Sequence, residues 1–213
     1  MTRSEKYLQK YLPILSEKYG QSMAQQIMED AAGQLREINA AHPDLTKQKQ
    51  FHADGIFPRV AVYQAMQQVM PKEEAYAFLQ DAMQTVAVEK GAQLARLMRH
   101  AWLRSPFLLI FQKVTKKMFG KSAGFEQRFY EANGNRLRFD ITRCPYHDLY
   151  AECGCVELNA ISCESDEFVY GKLPGIVFER HETIGNGCAR CDFCLYKCKK
   201  EKPQCQRKHP RSR

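Results

Sequence analysis

The 213-residue sequence has no long hydrophobic run and no recognisable export signal. Its longest apolar candidate, residues 107–111, is five residues long and is soon followed by lysines, whereas a membrane-spanning helix needs about 20 apolar residues. The first ten residues, MTRSEKYLQK, lack the apolar core and the small-residue cleavage site of a signal peptide. A P-loop, an HExxH motif and internal repeats are also absent. We therefore expect a cytoplasmic chain without a membrane span.

Cysteine is absent from the first 143 residues, and all nine cysteines lie between Cys144 and Cys205. An odd number of cysteines without an export signal is not typical of a secreted disulfide scaffold. Thiols, metal ligands or catalytic groups are therefore better interpretations than disulfides. Chemistry is expected in the C-terminal part of the chain.

Net charge is nearly absent from the body of the chain. Residues 188–213 hold nine Lys/Arg against two acidic residues, which accounts for seven of the eight net positive charges. No aromatic residue follows Tyr196, so the tail offers no platform on which a nucleobase could stack. We expect residues 199–213 to form a flexible, solvated tail that does not bind nucleic acid.

The first 120 residues show the periodicity of amphipathic helices. Thr2-x-x-Glu5 is a capping box that begins the first helix. Further helix boundaries are expected at Gly20, before Pro43, at Pro58, at Pro71, at Gly91 and after Ser105-Pro106. Core packing explains the apolar stripes of these helices better than a ligand groove does.

After residue 125 the period becomes that of strands. Asn133-Gly134 predicts a hairpin turn, and the following strand should have one buried and one wet face. A polar or short helical stretch should follow Cys144, a strand pair should span residues 168–173 and 176–182, and a last short strand should span 191–195. The predicted class is α+β. A helical scaffold over residues 1–120 packs on an antiparallel β module over residues 121–198, which carries the cysteine-rich site.

Three cysteines lie at the ends of these elements: Cys144, Cys163 and Cys191. A thiol becomes a nucleophile when a nearby cation, base or helix terminus lowers its pKa from about 8.5. His147 is a candidate base for Cys144, with Asp148 as the group that would orient it. Buried cysteines are commonly just small hydrophobic residues. Convergence of the three thiols would therefore favour the catalytic interpretation.

A denser cysteine run spans residues 188–198, CARCDFCLYKC, with the spacing C-x2-C-x2-C-x3-C. This spacing is that of the cluster-binding run of bacterial ferredoxins, and four thiolates also suit zinc. The ferredoxin run continues with proline, whereas Lys199 follows here, and there is no second run. An iron–sulfur or zinc module without hydrolase activity is the alternative function, with these ligands: Cys188, Cys191, Cys194 and Cys198.

The stretch from about residue 135 to 195 resembles the L-2-amino-thiazoline-4-carboxylic acid hydrolase family. The landmarks in order are RFDITRC with Cys144, CGCVEL with Glu157, CESD with Cys163 and Asp166, PGIVFERHET with Arg180, and GNGCARCDF with Cys191 and Asp192. The helical first half is also similar to that of the family. The other six cysteines lie outside the matched trio, and His181 stands where a small hydroxyl residue is expected.

The resemblance implies hydrolysis of a cyclic amidine-like carbon flanked by sulfur and nitrogen, which gives N-carbamoyl-cysteine and requires no cofactor. Cys144 or Cys163 is the candidate nucleophile, and Asp166 and Asp192 are candidate acid–base groups. Arg180, or else Arg143, is expected to pair with a substrate carboxylate. Each residue also has a structural interpretation, because aspartates cap turns and helices, Arg180 can be a solvated strand residue and Cys163 a core residue. A small-molecule binder that lost the chemistry is a third possibility.

Overall fold

The structure, a computed structural model, describes residues 1–198; the predicted tail, residues 199–213, lies outside the described residues. The helices are α1 (Arg3–Leu8), α2 (Tyr11–Tyr19), α3 (Gln21–Ala41), α4 (Lys47–Gln67), α5 (Lys72–Met98), α6 (Arg104–Met118), α7 (Pro145–Glu152) and α8 (Leu158–Tyr170). The strands are β1 (Glu126–Ala132), β2 (Arg136–Arg143), β3 (Ile176–Glu179) and β4 (Cys191–Lys197), and short 3₁₀ helices span Ala101–Leu103, Lys121–Ala123 and Ile184–Asn186. The predicted α+β class is confirmed. No helix among residues 1–198 has the length and apolar character that crossing a membrane requires.

The first three helices follow local signals in the sequence. The predicted capping box is present, since the Thr2 hydroxyl accepts from the Glu5 amide and the Glu5 carboxylate accepts from the Thr2 amide. Gly20, with a φ of +81°, separates α2 from α3 in a conformation that favours glycine. The apolar stripe of α3 is buried, and the helix ends at Ala41, before His42-Pro43 as predicted.

Two predicted helix boundaries are wrong. Helix α4 begins at Lys47, where the Thr46 hydroxyl caps it, and it continues through Pro58 instead of starting there. Helix α5 is continuous through Gly91. A Cβ atom at Gly91 would overlap the backbone carbonyl of Phe168, so this glycine permits close packing of α5 on α8 and does not end a helix.

The four strands form one antiparallel sheet in the order β1-β2-β4-β3. The hairpin at Asn133 is confirmed, and the side-chain oxygen of Asn133 accepts from the two backbone amides that follow Gly134. The apolar face of β2 is buried as predicted. Asp140, which was predicted to be on the wet face, is buried as well, because Tyr130 and Arg190 both donate hydrogen bonds to its carboxylate.

The predicted strand over residues 168–173 is wrong, because this segment begins inside α8 and ends in the turn that follows it. A short apolar run such as Phe168–Tyr170 fits a strand and a buried helix equally well. Strand β3 is limited to Ile176–Glu179 and pairs with β4. The helical stretch after Cys144 and the last strand over residues 191–195 are both confirmed.

Two clusters of buried side chains meet at the cysteine-rich region. The first lies among α1–α5, α7 and α8, and the second lies between the sheet and the neighbouring parts of α5 and α6. Both clusters contain residues from either side of position 120, and the division into a scaffold and a module stays a prediction. Tyr146 packs against both clusters, which places the start of α7 at their junction.

Candidate active site

The structure brings the three separated cysteines into one region. Cys163 is the sixth residue of α8, Cys191 is the first residue of β4, and Cys144 immediately precedes α7. The Cys191 thiol lies within hydrogen-bonding distance of Cys163, and Cys144 is close enough to raise the pKa of Cys191. The backbone amide of Ile184 donates to the Cys191 sulfur at 3.2 Å.

Within this trio Cys163 is the thiol that ionises most readily. A hydrogen bond from Cys191 lowers the pKa of Cys163 below its usual range, and the Arg180 guanidinium and the Gly185 amide act in the same direction. Desolvation and the Asp166 carboxylate oppose this shift. The same hydrogen bond, together with burial, raises the pKa of Cys191. The pair therefore favours a thiolate on Cys163 and a proton on Cys191.

Cys144 is a poorer nucleophile, because burial raises the pKa of its thiol to about 11. The interaction of His147 with this thiol is made by its backbone amide, which favours the thiolate only in part. No hydrogen bond joins the His147 imidazole to Cys144 among residues 1–198. Asp148 accepts instead from Arg143 at 3.0 Å, while its other oxygen is 3.8 Å from the imidazole. Asp148 therefore lies beside the His147 imidazole, but the imidazole is not bonded to the Cys144 thiol, and the role of His147 as its base stays a prediction.

Arg180 is buried and engaged by the protein's own groups. Its side chain is 5% exposed, and its Nη1 donates to the Asp166 carboxylate at 2.8 Å. Its Nη2 donates to the backbone oxygen of Cys163 at 2.8 Å and lies 3.5 Å from Glu167. Burial raises the pKa of Asp166 to about 6, although Arg180 opposes this shift. Arg180 thus ties α8 to the segment after β3, and within residues 1–198 both of its Nη atoms already bind groups of the protein.

Asp192 holds a loop. One of its carboxylate oxygens accepts from the His181 amide at 2.8 Å and from the Glu182 amide at 2.6 Å. This loop continues to Ile184 and Gly185, whose amides reach the two sulfur atoms. The contacts match the turn-capping interpretation of Asp192 and give it a supporting position behind the thiols.

Two residues that were not predicted also surround Cys163. A Cβ atom at Gly185 would lie 2.8 Å from the Cys163 sulfur and 3.2 Å from the side-chain nitrogen of Asn159. Asn159 is 1% exposed, and neither polar atom of its side chain has a hydrogen-bond partner among residues 1–198. It precedes Cys163 by four residues on α8, a spacing that puts both side chains on one helix face and could have revealed it.

A model of the L-2-amino-thiazoline-4-carboxylic acid hydrolase family matches residues 48–195, which is more than half of the chain. The chain belongs to this family. The match confirms the resemblance found in the sequence and covers α4 to β4, including every cysteine of the trio. Among curated proteins, no sequence matches the chain.

Two solved structures show a distant similarity to this chain. The Fe(II) unliganded H-NOX protein from K. algicida aligns over 93% of this chain and 98% of its own, with 11% identity and a TM-score of 0.32. A single-substitution mutant of that protein aligns over 93% and 97%, with 12% identity and a TM-score of 0.27. These scores support no conclusion about this hydrolase-family chain.

The dense cysteine run of this hydrolase-family chain does not form a ligand set in the described part of the structure. Cys191 and Cys194 are three residues apart on β4 and so point to opposite faces of the sheet. Cys194 lies beside Arg136, and Cys198 is roughly 23 Å along the strand direction from Cys191. Over residues 1–198, no group of three or more His, Cys, Asp or Glu residues could hold a metal ion. Within residues 1–198, the predicted ligands Cys188, Cys191, Cys194 and Cys198 are thus not gathered into one group, and the iron–sulfur or zinc alternative stays a prediction.

Proposed function

We propose that this family member is a cysteine-dependent hydrolase that opens L-2-amino-thiazoline-4-carboxylate or a closely related cyclic amidine-like carboxylate, with Cys163 as the nucleophile. The supporting observation is the position of Cys163, which has a hydrogen-bonding thiol, a buried guanidinium and a backbone amide around its sulfur. Each of these groups favours the thiolate, which is the nucleophilic form.

In the proposed reaction, the Cys163 thiolate attacks the ring carbon that carries the amino group, and a carbon–sulfur bond forms. The ring carbon–sulfur bond then breaks, and the released sulfur takes up a proton. Water next attacks the same carbon and displaces Cys163, which leaves N-carbamoyl-cysteine. The net reaction consumes one water molecule, and a covalent intermediate divides it into two easier steps.

Asp166 and Asn159 supply the polar groups that the proposed reaction needs. With a pKa of about 6, Asp166 exchanges a proton near neutral pH more readily than an ordinary carboxyl does. The unpaired oxygen of Asn159 is an acceptor for the amino group of the substrate, and the unpaired nitrogen is a donor to a ring atom.

Turnover of the thiazoline by single Cys→Ser variants tests this proposal. Cys163→Ser should lose at least about a thousandfold in kcat, because a serine hydroxyl next to these groups is not ionised. Cys194→Ser, on the opposite face of β4, is the matched control and should retain activity. A Cys163→Ser chain that turns over at the original rate contradicts the assignment of the nucleophile.

A further inference from the structure

Arg59 on α4 carries a positive charge and has no acidic partner in the described part of the chain. Its Nη1 donates to the Tyr150 hydroxyl and, at 3.1 Å, to the Ser162 hydroxyl. Its Nε is buried and has no hydrogen-bond partner within residues 1–198. In that same part of the chain, no Asp or Glu oxygen lies within 4.0 Å of this guanidinium. A buried cation without a counter-ion is costly to a fold that gains nothing from it.

The other arginines near the cysteine site are already paired. Arg180 is held by Asp166, and Arg143 is largely exposed and held by Asp148. Arg59 differs because its hydrogen-bond partners are hydroxyl groups, which are neutral and do not balance its positive charge. Its free Nε adjoins an Nη, and these two donors can take a carboxylate in a bidentate contact.

The Arg59 group is linked to the cysteine site through α8. Ser162, which Arg59 contacts, immediately precedes Cys163 on α8. Tyr146 is near both groups. Burial raises the pKa of its hydroxyl, Arg59 lowers this pKa, and Tyr150, Cys144 and Asp166 raise it further. A small ring that carries a carboxylate is therefore of the right chemical class to contact both groups.

We propose that Arg59, with Tyr150 and Ser162, forms the subsite that receives the carboxylate of the substrate. This inference rests on the proposed function, since it names the carboxylate anchor of the same site. It replaces Arg180 and Arg143 in that role. The uncharged carboxamide of the same ring cannot form the ion pair and should be discriminated against.

Binding can be measured without turnover in the Cys163→Ser background. Isothermal titration with L-2-amino-thiazoline-4-carboxylate and with its carboxamide should give at least about a 30-fold preference for the carboxylate, the lower range for a desolvated charge pair. Arg59→Met should remove this preference, whereas Arg128→Met, which changes an exposed arginine on β1, should keep it. A preference that survives Arg59→Met overturns the subsite, and so does the failure of both the carboxylate and the carboxamide to bind.

Two further measurements keep this test decisive. If Arg59→Met does not fold, a crystal structure of Cys163→Ser with the bound carboxylate takes the place of the binding measurement on that variant. Carboxylate oxygens at the Arg59 Nε support the subsite, and carboxylate oxygens elsewhere overturn it. A chain that shows the preference and no turnover keeps the subsite and contradicts the hydrolase. A chain that turns over the thiazoline but shows no preference for the carboxylate supports the hydrolase and contradicts the subsite.

Discussion

The thiols of Cys163 and Cys191 share a hydrogen bond across the junction of α8 and β4. Because one proton serves two sulfur atoms, the pair titrates as a unit. Arg180 and the Gly185 amide favour the charge on Cys163, so the proton stays on Cys191. The ionisation of Cys163 therefore depends on how α8 packs beside β4, because this packing places the two thiols together.

Replacing Cys191 should make Cys163 less reactive. Cys191→Ala removes the hydrogen bond that lowers the pKa of Cys163. A higher pH should then be needed to convert Cys163 to the thiolate. A hydrogen bond to a charged group contributes about 1.5–3 kcal/mol, and alkylation of Cys163 by iodoacetamide at pH 7 should slow roughly tenfold or more. Cys194→Ala is the control. Equal alkylation rates in both variants contradict the coupling.

Asp166 should make the stability of the chain depend on pH. Its pKa of about 6 exceeds the ordinary 3.8, so the folded chain binds the proton more tightly than the unfolded chain. This contribution is complete below about pH 4 and is lost as the pH rises through about 6. Relative to Asp166→Asn, the free energy of unfolding should fall by at most about 3 kcal/mol between pH 4 and 7. Denaturant unfolding of both chains at pH 4 and pH 7 measures this change. If the difference in free energy of unfolding between the two chains is the same at both pH values, the pKa of Asp166 is not raised.

Gly185→Ala should damage the site and leave most of the fold. The added methyl group would lie 2.8 Å from the Cys163 sulfur, so the thiol or the loop must move. Turnover should fall at least about tenfold, since small displacements of catalytic groups are costly. Gly55→Ala is the matched control, because a Cβ there meets nothing within 4 Å. Equal activity of the two variants shows that the close approach has no catalytic consequence.

Asp192 should act through the loop and not through proton transfer. Asp192→Ala leaves the amides of His181 and Glu182 without an acceptor and should lower the free energy of unfolding by about 1–3 kcal/mol. Asp192→Asn keeps an acceptor oxygen and should retain most of the turnover. An Asn variant that is stable but inactive assigns Asp192 to acid–base chemistry instead.

Asn159→Leu should change stability and activity in opposite directions. The buried amide has no partner among the described residues, so an apolar side chain of similar size should raise the free energy of unfolding, by roughly 1–2 kcal/mol. Turnover should fall because the substrate loses its polar partner. Functional groups commonly carry such a cost in stability. Parallel unfolding and kinetic measurements test this, and loss of stability together with activity indicates an ordinary structural role.

The sequence was sufficient to predict the fold class. It was also sufficient to select the three separated cysteines that the structure brings into one region. Helical stripes, the Asn133 turn and the alternation in β2 are local patterns, and local patterns survive in the folded chain. The end of α8 was not predictable in this way, because three apolar residues show no distinct period. Gly91 appeared to be a helix breaker, since the backbone of Phe168 that approaches it is distant in sequence.

The roles of the charged residues depended on their partners, which the sequence does not show. Arg180 and Arg59 are the same residue type, yet Arg180 is paired with Asp166, whereas the hydrogen bonds of Arg59 within residues 1–198 go to hydroxyl groups. Asp192 follows a cysteine of the trio, but its carboxylate faces backbone amides. The spacing of the dense cysteine run did not show that Cys191 and Cys194 lie on one strand, which sends these two thiols to opposite faces of the sheet.

The central claim is that Cys163 forms the covalent intermediate. Rapid quenching of the chain with the thiazoline, followed by peptide mass spectrometry, tests it most directly. The account predicts a mass increase equal to one substrate molecule on the peptide that contains Cys163, and no such increase in Cys163→Ser. An adduct on Cys144 instead, or full turnover by Cys163→Ser, contradicts it.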